Sequence, residues 1–149
     1  MNFLPNAELH YVDVAEAAGS SIDSDSAIVD TQGYEGCVFI TPIVDSADTG
    51  VATLTIEQNI ANSASGMAAL AGAVAVATSA ADDDLNSKLL IVDVHKPRER
   101  YLRSNITSAT ANIAFGDTIA ILYGAHKMPV AQLAAEVAAS AVVASPAES

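Results

Sequence analysis

The residues of this 149-residue chain that are able to do chemistry are few: three histidines, one cysteine, two acidic clusters and one basic cluster. His10, His95 and His126 lack Asp, Glu or Cys partners at the spacing of a tetrahedral zinc site, which needs three or four convergent ligands. No GxSxG, HExxH, P-loop or GxGxxG pattern occurs, so neither an activated serine nor a phosphate-cradling loop is announced. The acidic stretches "SIDSDS" (21–26) and "ADDDLNS" (81–87) gather oxygen donors suited to a hard cation, yet neither has the EF-hand order of ligands, and both read as solvated turns. The expectation is a protein that is not an enzyme, with no catalytic residue, no cofactor and no metal.

The basic cluster is the unusual feature. "HKPRERYLRSNIT" (95–107) holds four of the six Lys and Arg residues. Residues 1–87 carry 13 acids and no Lys or Arg; residues 88–127 carry all six bases against three acids; residues 128–149 add two Glu, for a net charge of −12. That balance argues against nucleic acid, whose binding depends on a basic surface, and against an anionic membrane face. Arg98, Arg100 and Arg103 are therefore expected at an interface, facing carboxylates of the N-terminal half, of a sister subunit or of another protein. Alternation along a strand predicts Tyr101 and Arg103 on one face, Arg100 and Leu102 on the other.

The segments that would position this cluster have period two. "AIVDTQ" (27–32), "GCVFITPIV" (36–44), "VATLTIEQ" (51–58), "SKLLIVDV" (87–94), "RYLRSNIT" (100–107) and "DTIAILYG" (117–124) read as strands rich in β-branched residues, separated by Gly, Asp, Ser and Pro turns. In "VATLTIEQ", Ala52, Leu54 and Ile56 share the inward face. "CVFI" and "LLIV" are apolar on both faces, which predicts a second face covered by another subunit. Residues 65–71 are expected as an Ala-rich helix running into a strand at 72–78, and 129–142, with Pro129 at its start, as a short amphipathic helix. The whole is one domain over 1–149: a mainly β, antiparallel β-sandwich of jelly-roll or Greek-key type, with an extended N-terminal arm (1–14) and a C-terminal arm or helix (129–149).

Hydrophobic residues make up 51% of the chain and aromatic ones 5%, with no Trp, which predicts a core of small side chains. Cys37 lies inside "GCVFI" and reads as a buried hydrophobe. "MNFLPNAELHY" has neither the basic nor the apolar region of a signal peptide, and the uncharged stretch 59–81 is too rich in Ala, Gly and Ser for a membrane span. Phe3 and Leu4 form an apolar tip that suits either docking on a neighbour or a first strand packed on its own domain.

The order of motifs "VDTQGYEGCVFITPI", "ATLTIEQ", "LLIVDVHKPRERYLRSNIT" and "AILYGAHKMPV" resembles the decoration or cement proteins that tailed bacteriophages encode beside their major capsid protein. The likeness covers about residues 27–130; its most distinctive part is Val92-Asp93-Val94, then Lys96, Pro97 and Arg98, then Arg100-Tyr101-Leu102-Arg103, and Leu122–Val130 is the second. Residues 59–87 depart from it in being more Ala-rich. The resemblance implies a homotrimer on the outer capsid surface of a virion, made in the host cytoplasm, that ties major capsid protein subunits together, with Phe3, Leu4, Arg98, Arg100, Tyr101 and Arg103 at its interfaces. A trimeric receptor-binding or fibre-tip domain recognising a host surface glycan is the alternative, although Tyr34 is the one aromatic residue in an exposed type of turn.

Overall fold

The structure, a computed structural model, describes residues 2–145, 147 and 148; Met1, Pro146 and Ser149, which fall within the two expected arms, lie outside the described residues. After a 3-10 turn at Leu4–Asn6 come β1 (Ala7–Asp13), β2 (Glu16–Gly19), β3 (Asp23–Asp25), β4 (Val29–Asp30), β5 (Tyr34–Ser46), β6 (Val51–Asn59) and β7 (Ala68–Thr78). They are followed by β8 (Leu89–His95), β9 (Tyr101–Ala109), β10 (Ile113–Phe115) and β11 (Thr118–Ala125). Two antiparallel sheets pack face to face as a β-sandwich. The first runs β1-β11-β5, with β8 on the far side of the first half of β5, while β10 and β2 continue from its second half. The second runs β9-β6-β7, with β3 and β4 both pairing β9.

Alternation builds the core. Cys37, Phe39, Thr41 and Ile43 from β5 and Leu90, Val92 and Val94 from β8 meet Ala52, Leu54 and Ile56 from β6 and Leu102 and Ile106 from β9. Inward-facing Ser104 and Ser108, on either side of Ile106, are small: Ser26 Oγ accepts from the Ser104 backbone N at 2.9 Å, and the Ser108 hydroxyl donates to Gly19 O at 2.7 Å. Thr41 and Thr118 pair their hydroxyls at 2.7 Å inside the first sheet. Buried polar groups are tolerated where they find a partner.

The strands expected from periodicity form, with ends shifted by a few residues, and Ala52, Leu54 and Ile56 are completely buried. The helix expected at 65–71 does not. Ala68–Thr78 is one strand, because pairing with β6 satisfies its backbone while Leu70, Ala73, Ala75 and Ala77 pack against the core, and that tertiary gain outweighs the helix preference of Ala. Asn59 organises the turn before it, donating from Nδ2 to Ser63 O and Ser65 O, both at 2.9 Å.

The helix expected at 129–142 is replaced by an extended strap with one turn, in which Leu133 O accepts from Glu136 N and Val137 N. The strap lies along the outer edge of β1. Gln132 Oε1 accepts from Leu9 N (3.0 Å), Gln132 Nε2 donates to Ala7 O (2.6 Å), and Glu136 Oε2 accepts from Tyr11 N (3.1 Å). An edge strand otherwise exposes unpaired amides and carbonyls, so this segment gains more from capping the edge than from coiling. Of the two settings open for the N-terminal segment, residues 7–13 adopt the docked strand, paired with β11 from Ala7↔Tyr123 to Asp13↔Thr118.

Candidate interface

Turning from β8 to β9, the chain uses Lys96 at φ +50 and Pro97, with Lys96 N donating to Glu35 O at 2.7 Å. Arg98 is exposed in this turn. It lines a cleft of about 430 Å³ together with Thr31, Gly33, Glu35, Glu99 and His126, and His126 Nε2 lies 3.1 Å from Glu35 Oε1.

Arg100 precedes β9 and makes a two-pronged pair with Asp30, Nε to Oδ1 and Nη2 to Oδ2, both at 2.7 Å. Its guanidinium lies 5.1 Å from the centre of the Tyr101 ring. The expectation that Arg100 and Tyr101 face opposite ways is thereby corrected: regular alternation begins only at Tyr101, and outside the ladder Arg100 is free to fold back over the ring. The hydrogen bonds from Arg100 hold the Asp30 carboxyl below its ordinary range. Arg103 stands on the outer face of the second sheet, directly opposite Glu57, with Nε 2.5 Å from Glu57 Oε2 and Nη1 3.1 Å from Asp25 Oδ2. Its side chain is 13% exposed, against 45% for Arg100. Both arginines thus take partners from the N-terminal half of their own chain. Lys88, Lys96, Arg98 and Lys127 have no carboxylate within 4.0 Å among the described residues.

Phe3 and Leu4 line a different cleft, with Asn2 and Ala141–Val143 of the C-terminal strap; Phe3 is exposed and Leu4 half-buried. Asp23, Asp25, Asp83 and Asp84 of the two acidic stretches are engaged within the chain. Asn105 Nδ2 donates to Asp23 and Asp25, while Asp84 accepts from Ser79 Oγ and Ala80 N. His10 lies between Glu8 (2.7 Å) and Glu136 (3.6 Å), which pins the strap to β1. Burial pushes the Cys37 thiol up to about 12, leaving it unreactive at neutral pH.

A further candidate surface is the outer face of the first sheet. Register places Tyr11, Ile119, Ile40 and Ile91 in one row across four strands, and Leu9, Ile121 and Val38 in the next, ending on Asp93. Leu89 and Ile91 are 55% and 49% exposed, and Val44 is 57% exposed. A third row, Tyr123, Gly36 and His95, closes this face: the Tyr123 and His95 rings stack across Gly36, and Tyr123 donates its hydroxyl to Asp93 at 2.6 Å. A Cβ at position 36 would collide with the Tyr123 ring and Val94 O, so only glycine fits under that stack.

The two-faced character of "CVFI" and "LLIV" pointed to half of this surface. The contributions of Leu9, Ile119 and Ile121 are visible as period-two apolar positions, but only pairing of β1 with β11 makes them one face. Gln132 and Glu136 carried no sequence signal, since side chains capping a distant strand edge leave no local pattern. No family model matches the chain, and no curated protein is similar to it at a meaningful level.

Proposed function

We propose that this protein is a non-enzymatic virion structural protein that binds the outer surface of a tailed-phage capsid as a homotrimer and stabilises contacts between major capsid subunits. The observation that carries this reading is the row of Tyr11, Ile119, Ile40 and Ile91, flanked by Leu89 and Val44, on the outer face of one sheet. Contiguous apolar surface of this kind marks a protein interface, because leaving it in water forfeits roughly 25 cal/mol per Å². The motif order over 27–130 supplies the capsid context. A cement protein acts by adding contact area across joints, and many copies multiply a modest gain per contact.

The test is sedimentation of the purified chain together with binding to emptied capsids that lack it. A trimer at micromolar concentration that binds such capsids saturably is expected. A monomer that leaves the capsids bare removes the proposal.

A further inference from the structure

β7 and β8 are edge strands of opposite sheets, joined through residues 79–88, and each pairs on one side only. Away from that connection they diverge. Thr55 faces Val74 but Glu57 faces Ala69, so two steps along β6 correspond to five along β7, and the excess bulges out at Gly72, whose φ is +80. The gap is a cleft of about 510 Å³ lined by Gln58, Ala69, Leu70, Val94, Lys96 and Arg98, among others. Inside the protein the Gln58 Oε1 acceptor is buried with no donor. The cleft thus offers two strand edges, apolar walls and a cationic rim.

We propose that this cleft receives, as an added β-strand, the C-terminal segment 139–145 of a second copy of the chain. The segment is already extended, carries no charge and has no side chain larger than Val, which suits a slot walled by Ala69, Leu70 and Ala71. Val142 and Val143 are exposed, and among the described residues the one hydrogen bond tying 138–145 to its own domain is the exposed contact from Asn2 Nδ2 to Val143 O at 3.1 Å. Glu148 follows, a carboxylate that complements Lys96 and Arg98, neither of which has an acidic partner within the described chain. Gln132 and Glu136 anchor the base of the segment on β1, at the opposite edge of the first sheet from β8. Inserting it into a neighbour is therefore a head-to-tail contact, which on repetition closes a ring when the rotation between copies is that of a closed symmetry. Backbone pairing supplies affinity, and the fit to small side chains supplies selectivity.

The inference rests on the self-association proposed above and deepens it. The test mixes two populations of full-length protein: one carries Ala71→Cys, the other a single cysteine at one position from Ala139 to Ser145. Because the two cysteines lie in separate chains, any disulfide is intermolecular, and Cys37 is too buried to compete. Cross-linked dimers that alternate in yield along the arm, with period two, are expected. A chain ending at Val137 is expected to keep its melting temperature and associate at least tenfold more weakly, and Lys96→Glu with Arg98→Glu to weaken association in a way that Glu148→Lys partly reverses. Absent cross-links, yields without alternation, or undiminished association of the shortened chain would overturn strand addition while leaving the trimer and the capsid role standing. A full-length chain that stays monomeric overturns the self-association as well.

Discussion

The outer faces of the two sheets are built from the same kind of strand and carry opposite chemistry. On the second sheet the rows are Asp25, Asn105, Thr55 and Val74, then Asp23, Thr107, Thr53 and Val76, with the Arg103–Glu57 pair beside them. On the first they are Tyr11, Ile119, Ile40 and Ile91, then Leu9, Ile121, Val38 and Asp93. A Thr and Asn face with its charges paired is content in water, whereas an Ile and Val face is not. The proposed contacts therefore belong to the first sheet, and the basic cluster lies mainly on the other side, where two of its arginines hold strands together.

Placing a charge in the apolar row attacks this contrast most directly. Ile91→Asp is expected to weaken trimer formation or capsid binding on the order of a hundredfold, since a contact losing an isoleucine forfeits about 1.5–3 kcal/mol and a carboxylate there adds a desolvation cost. The melting temperature of the isolated domain should barely move, and Thr53→Lys on the second sheet should leave association unchanged. Equal effects of the two substitutions in a sedimentation series would erase the distinction.

Removing Arg103 comes next. Arg103→Ala leaves the largely covered Glu57, and the more open Asp25, without their cation, and a loss of about 1–3 kcal/mol of folding stability by urea denaturation is expected. Arg100→Ala should cost clearly less than Arg103→Ala, because that pair is half exposed and solvent screens it. The smaller loss carries a pH signature. Asp30 titrates below its ordinary range in the folded protein, so the benefit of the pair is present above the usual Asp range near pH 4 and fades as pH falls through the lowered value. Wild type and Arg100→Ala should therefore converge in acid. A constant gap down to pH 2 would contradict the pairing.

The smallest expected effect lies at the seam between the sheets. Burial first, and then Glu16 and Asp25, raise the Asp13 carboxyl above its ordinary value, and its Oδ2 is buried without a donor. Ionised Asp13 therefore opposes folding at neutral pH. Asp13→Asn is expected to raise the melting temperature by about 1–2 °C at pH 7, an advantage that fades as pH falls through the raised folded value and is gone below the ordinary Asp range near pH 4. A lower melting temperature at pH 7 would show that the carboxylate is needed where it stands.

Much of the fold was legible because alternation is a local signal. Leu54, Ile56, Leu102 and Ile106 point inward as their spacing requires, and the turns fall where Gly, Asp and Pro cluster. The segments that misled are those whose conformation is decided by a distant partner. Residues 68–71, at the start of β7, look helical by composition and are strand because β6 is there to pair with them. The strap after Val130 has an amphipathic stripe, yet it stays extended because β1 exposes an edge that Gln132 and Glu136 can cap. Charge segregation left acids of the N-terminal half, of a sister subunit or of another protein open as partners for Arg100 and Arg103; within the chain both meet acids of the N-terminal half, and composition has no way of choosing Asp30, Asp25 and Glu57 from 13 acids.

The class of the fold, the inward face of each long strand and the separation of acid from base are written in the chain itself, since period two and charge are properties of neighbouring residues. Which outer face is apolar, which carboxylates the arginines meet and where the two sheets leave a gap were settled only by folding. Those depend on strand order and register, and a one-residue slip in register would carry every side chain to the opposite face.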